Sequence, residues 1–186
     1  MKLLCFGDSN TYGYDPCACF GSRYGVNDRW PEILASEMGW DVINAGENGR
    51  EIPRRSFELS SVSLLIDRHK PDVFLVMLGT NDLLQGADPR EAALRMEAFL
   101  RVVLPLCQRV LLVAPPALKR GAWVPTDALV EASLKLCREY AALAETSGIS
   151  YADASRWDLQ LCFDGVHLTE EDHQKFAQNM KKAVVF

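Results

Sequence analysis

A serine near the start of the chain and an aspartate–histidine pair near its end are the residue types that acyl transfer needs. Ser9 lies in Phe6-Gly7-Asp8-Ser9-Asn10-Thr11-Tyr12-Gly13, directly after the apolar run Leu3 to Phe6. A glycine two places before a serine lets the backbone bend sharply at a strand end and leaves the hydroxyl at the lip of a sheet. That hydroxyl is a weak nucleophile until an imidazole takes its proton. The imidazole in turn needs a carboxylate to fix its tautomer. Asp164-Gly-Val-His167 offers both groups within one turn of chain, so Asp164 can hold the ring Nδ1–H while Nε2 faces Ser9. A tetrahedral intermediate also needs donors for its oxyanion. The N–H of Ser9, a glycine N–H from residues 46–49 and the side-chain amide of Asn81 can supply them. Asp8 is read as ordering the turn rather than reacting.

Taken singly, these segments are ordinary: Gly-Asp-Ser and Asp-Gly are common in turns, and Gly79-Thr-Asn-Asp82 reads as an Asx turn before a helix. The elements between them decide whether they meet. Lys2 to Phe6, Asp41 to Ala45, Asp72 to Leu78, Arg109 to Ala114 and Ile149 to Ala152 read as short strands. Helical periods fill Trp30 to Met38, Ser56 to Lys70, Pro89 to Val103, Thr126 to Ser147 and the segment after Thr169, whose stripe is His173, Phe176, Ala177, Met180 and Val184. Asp88, Pro89 and Glu91 read as a capping box. Residues 11–28 form a long loop, and residues 117–125 a shorter one with an apolar tip at Trp123. Five alternations of strand and helix predict an α/β fold, a parallel sheet with helices on both faces, in one domain spanning 1–186. In such a sheet ligands bind beyond the carboxyl ends of the strands. All four segments fall at those ends.

Composition narrows the class. Twenty basic and twenty-five acidic residues give a net charge of −5, which predicts neither a nucleic-acid footprint nor attraction to an anionic membrane. Met1-Lys2 is followed by only four apolar residues before Asp8, too few for a secretory core, and no apolar run approaches the roughly 18–20 residues of a membrane span. The six cysteines are expected to be reduced thiols of a cytoplasmic protein. Cys17 and Cys19 could form a surface redox pair. Their spacing is poor for zinc and no second pair of ligands follows, so no metal is expected.

The four segments, in order, resemble the sequence blocks of the SGNH (GDSL-type) esterase and lipase family. Phe6 to Gly13 looks like the nucleophile block, with Ser9 as the matching serine. Asn44-Ala-Gly-Glu-Asn-Gly49 resembles the second block and puts Gly49 on the oxyanion glycine. Gly79-Thr-Asn-Asp82 resembles the third and makes Asn81 the oxyanion asparagine; Asp164-Gly-Val-His167 resembles the last. Asp28-Arg-Trp30, Val76 to Asp82 and Val113-Ala-Pro-Pro116 look closest to the aryl-esterase and acyltransferase branch. The resemblance implies a three-layer α/β/α sandwich with a flavodoxin-like five-stranded parallel sheet and no cofactor. It also implies a small-molecule ester as substrate, and a homo-oligomer in which the first loop and the Trp123 loop narrow the pocket. Asn10 stands where the name-giving motif has leucine, which bears on the shape of the acyl pocket.

The expected activity is hydrolysis of small carboxylic esters, with acyl transfer where water is excluded, and Tyr12, Trp30, Leu83 and Val166 are expected to line the pocket. Two alternatives stand beside it. One is carbohydrate O-deacetylation by the same triad. The other is a noncatalytic, flavodoxin-type binding domain, against which Asp8 would repel phosphate and no dinucleotide fingerprint is present.

Overall fold

The apolar runs pair as predicted. In the computed structural model of the chain, which describes residues 1–18 and 22–184, the strands are β1 (Lys2–Gly7), β2 (Asp41–Gly46), β3 (Val73–Met77), β4 (Val110–Ala114) and β5 (Ser150–Asp153). They pair in parallel in the order β2-β1-β3-β4-β5, the flavodoxin-like arrangement. Parallel neighbours require crossovers. The helices that supply them or follow the strand ends are α1 (Ser9–Tyr12), α2 (Trp30–Met38), α3 (Ser56–His69), α4 (Thr80–Leu84), α5 (Pro89–Val103), α6 (Asp127–Ser147) and α7 (Glu170–Val184).

Side chains alternate across a strand, and here both sides are apolar. Leu4, Phe6, Phe74, Val76 and Leu112 share one core with Val62 and Ile66 of α3, Met96 and Phe99 of α5, and Leu136 and Tyr140 of α6. Leu3, Cys5, Leu75, Met77 and Leu111 share the other with Ile33 and Leu34 of α2 and Phe176 and Met180 of α7. The result is three layers. The continuous hydrophobic runs of β1, β3 and β4 follow from burial on both faces.

Three local expectations change. Gly79-Thr-Asn-Asp82, read as a turn, is instead mostly helical: α4 already starts at Thr80. α3 ends one residue early because Lys70 adopts the left-handed conformation (φ 46°) that closes it. Asp88 caps α5 by accepting from Arg90 N–H at 2.8 Å, but Glu91 does not complete a capping box; it pairs with Arg95 one turn on. Cys19 lies outside the described residues, and the pairing expected of it with Cys17 lies there too. Among the described residues no helix is long and apolar enough to cross a membrane.

Candidate active site

Register brings the site together. Gly7 pairs with Gly46 on one side and Met77 on the other, so the segments that follow β1, β2 and β3 leave adjacent positions of one rim. α1 starts there: Asp8 is its N-cap, accepting from Asn10 N–H at 3.0 Å, and Ser9 is its first residue. The turn lies so close to β2 that a Cβ on Gly46 would meet Tyr12 N at 2.1 Å. Glycine there is a steric requirement, and it fixes the height of α1 over the sheet.

Ser9 Oγ lies 2.9 Å from His167 Nε2, and His167 Nδ1 lies 2.7 Å from Asp164 Oδ2. All three residues are buried. Asp164 Oδ1 accepts the N–H groups of Val166 and His167 at 2.9 and 3.0 Å. Burial alone would raise the Asp164 pKa, but the bonds from the His167 ring and these two N–H groups outweigh it and hold the carboxyl below its ordinary value. An ionised Asp164 can only accept, so Nδ1 carries the proton and Nε2 is free to accept from Ser9. Asp8 differs. Burial pushes its pKa up to about 6, although Asn10 N–H, His167 and Arg50 oppose the rise.

The second and third segments are tied to each other. Asn81 Nδ2 donates to Arg50 O at 3.0 Å and Asp82 Oδ2 accepts from Ile52 N–H at 3.0 Å. Two successive residues of α4 therefore grip the loop that carries Gly49, and Arg95 of α5 holds Asp82 from behind at 2.8 Å. Gly46 N–H donates to Asn44 Oδ1 at 3.0 Å, whereas Gly49 takes the left-handed conformation (φ 74°). A cleft of about 500 Å³ opens beside Gly49, between Arg50, Ile52, Phe57 and Val62.

The expected pocket residues divide. Trp30 and Leu83 are buried in the two cores and Val166 packs on Leu118 and Val124. None offers its side chain to a ligand, so the expectation that they line the pocket is corrected. Tyr12 is half-buried with the Arg23 guanidinium over its ring at 4.3 Å. Among the described residues, the aromatic rings that flank the site are Tyr14 and Trp123, whose centroids lie 4.7 and 5.2 Å from that of His167. Trp123 is 51% exposed. Its loop is bonded along the histidine loop: Lys119 N–H to Gly165 O, Ala122 N–H to Phe163 O and Trp123 N–H to Asp164 O, each at 3.0 Å. An apolar tip in a polar loop was the sequence signal for Trp123, whereas Tyr14 gave none. Asn10 does not enter a pocket; its carboxamide turns toward the histidine loop. Among the described residues no three His, Cys, Asp or Glu side chains gather as a metal site.

With a hydroxyl, an imidazole and a carboxylate in hydrogen-bonded series, the site can generate a nucleophilic alkoxide and hand its proton to a leaving group. A model of the GDSL-like Lipase/Acylhydrolase family matches residues 5–175. The chain belongs to this family. Among solved structures, this GDSL-like chain is similar to the M. smegmatis aryl esterase (26% identity, TM-score 0.84, covering 98% of this chain and 97% of that one). A carbohydrate acetylesterase family member from Sinorhizobium meliloti is similarly close (25%, TM-score 0.85, covering 98% and 96%). An arylesterase from Vibrio mimicus is 30% identical over 107 residues. That match takes in 55% of the GDSL-like chain and 48% of the relative, so it spans about half the length of that curated protein.

Proposed function

We propose that this GDSL-like protein is a serine esterase acting on small carboxylic esters. Ser9 Oγ attacks the carbonyl carbon as His167 Nε2 takes its proton, and Asp164 steadies the imidazolium. The N–H groups of Ser9 and Gly49 and the amide of Asn81 receive the oxyanion. Collapse passes the proton from His167 to the departing alcohol and leaves Ser9 acylated. Water, or a second alcohol, then attacks with His167 again as base, releasing the acid or a new ester. The observation that carries this reading is the buried series of 2.9 and 2.7 Å bonds linking Ser9, His167 and Asp164 across 158 residues of sequence. Tyr14 and Trp123 beside His167 suit a flat aryl group. The five described cysteines are free thiols, which supports a reducing, cytoplasmic setting.

Family membership argues against the noncatalytic alternative. Carbohydrate O-deacetylation remains the second reading, because the Sinorhizobium meliloti acetylesterase is as similar as the aryl esterase and exposed aromatics also stack on sugar rings. A fluorophosphonate should label Ser9, located by mass mapping, and Ser9→Ala should lose labelling and ester cleavage while keeping its melting temperature. Retained cleavage in Ser9→Ala overturns the assignment. Rates on phenyl acetate against acetylated sugars separate the two substrate classes.

A further inference from the structure

Asn10 is buried, and each of its polar groups has a partner. Its N–H donates to Asp8 Oδ1 at 3.0 Å and its carbonyl accepts from the Trp30 indole N–H at 3.0 Å. Its side chain reaches 156 residues along the sequence: Nδ2 donates to Val166 O at 3.0 Å and Oδ1 accepts from Leu168 N–H at 2.9 Å. These two backbone groups lie on either side of His167. The carboxamide therefore bonds the histidine segment as a neighbouring strand would.

We propose that Asn10 is a positioning residue, whose carboxamide sets the His167 imidazole against Ser9 by clasping the backbone on both sides of it. The proposal rests on the assignment of Ser9 and His167 made above. The Trp123 loop also holds this segment, through Lys119, Ala122 and Trp123 N–H, but on the residues before Val166 and from an element that does not carry Ser9; the remaining bonds do not tie it to Ser9 either. Asp164 holds the N–H groups of Val166 and His167, and Cys162 N–H donates to His167 O at 2.7 Å. Both donors and acceptors there belong to the same loop, so they shape it without locating it relative to Ser9. The Tyr24 hydroxyl reaches Leu168 O at 3.3 Å, but from the long first loop. Asn10 alone among these is the residue next to the nucleophile, on the same helical turn, with its own main chain fixed by Asp8 and Trp30. Nucleophile and base are thus referenced to one rigid unit. Misplacing a reacting group by about 1 Å can cost about 10²-fold in rate.

The test uses Asn10→Leu, which removes both bonds at similar size, and Asn10→Asp, which keeps the acceptor for Leu168 N–H but lacks the donor to Val166 O. Steady-state kinetics on phenyl acetate are measured with melting temperature and the low-field proton resonance of the His167 Nδ1–H. For Asn10→Leu, kcat should fall about 10²-fold with KM within about twofold, and the resonance should broaden or vanish in a protein that still melts cooperatively. Asn10→Asp should retain more of kcat than the leucine variant and move the acid limb of its pH profile upward, because a new carboxylate close to His167 favours the imidazolium. Should Asn10→Leu fail to fold, the aspartate variant decides: a wild-type rate with an unmoved acid limb overturns the proposal. Wild-type kcat and resonance in Asn10→Leu overturn it too. If wild type is labelled on Ser9 by a fluorophosphonate in that case, only the clasp is wrong. If wild type is not labelled there, the esterase reading and the clasp fall together.

Discussion

Asn81 has two hydrogens on one amide nitrogen. One holds Arg50 O at 3.0 Å, and the other is free to meet an oxyanion at the same rim. Loss of a single oxyanion donor typically costs about 10²–10³ in kcat, or about 2.7–4 kcal/mol. Asn81→Ala should therefore cut kcat by about that factor with KM nearly constant. Its stability should fall by about 1 kcal/mol, for the one hydrogen bond lost from a half-buried side chain. A drop of less than about fivefold in kcat would move the oxyanion elsewhere. Single residues also mark where sequence reading runs out. Ser9, Asp164 and His167, which the structure joins in one hydrogen-bonded series, and Gly49 and Asn81, the proposed oxyanion donors, are singled out by residue type and order. Trp30, Leu83 and Val166 were expected in the pocket, yet the sequence near a motif does not decide which way a side chain points. The Asn10 clasp and the Asp82–Arg95 support depend on approaches that spacing does not encode.

At the level of elements, continuous apolar runs made β1, β3 and β4 legible, and periodic stripes bounded by glycine or proline did the same for α2, α5 and α6. α4 was not legible. Five residues are too few to display a helical period, and Gly79-Thr-Asn-Asp82 carries strong turn chemistry. The helix exists because its flanks are held: Asp82 is locked by Ile52 and Arg95, and Leu83 packs into the core. The contact between α1 and β2 is another case where packing dominates. The Cβ of an alanine at position 46 would fall 2.1 Å from Tyr12 N and 2.6 Å from Thr11 C. Both are backbone atoms, so no rotamer change relieves the clash and α1 must lift. Gly46→Ala is expected to lose at least about 1–3 kcal/mol, the usual range for overpacking. Its kcat should fall more than its stability implies, because the displaced helix carries Ser9. Urea unfolding and steady-state kinetics on the same preparation give both quantities. An alanine variant with wild-type stability and rate would mean that this approach is not tight in solution.

Across the whole molecule, two buried groups on different elements make stability depend on pH in opposite directions. His173 of α7 accepts from Trp30 N–H at 3.4 Å through Nδ1, and its Nε2 has no partner. Burial, helped by the nearby Arg29, lowers its pKa to about 3. The unfolded chain takes up that proton near the ordinary histidine value of about 6.5, so His173 removes stability as the pH falls from about 6.5 toward 3. Asp8 has the reverse sign. Its folded pKa of about 6, against an ordinary value of 3.8, means that its charged form is penalised at neutral pH and that acidification from 6 to 3.8 relieves the penalty. Each group contributes a slope of about 1.4 kcal/mol per pH unit within its window, and for a chain of this length each kcal/mol shifts Tm by about 2–4 °C. Between pH 6 and 4 the two slopes oppose each other and largely cancel. Removing either should expose the other. Asp8→Asn, which keeps an acceptor for Asn10 N–H, should raise Tm by several degrees at pH 8, and the gain should vanish near pH 4, leaving a steep loss on acidification. His173→Gln, still able to accept from Trp30 N–H, should lose less stability than wild type as the pH drops from 6.5 to 4, even if its neutral Tm is lower. Calorimetric melts of the three proteins at half-unit pH steps read both effects. Parallel curves would place the titrating groups elsewhere, whereas curves that diverge with opposite signs tie the acid response to Asp8 beneath the nucleophile turn and His173 between α2 and α7.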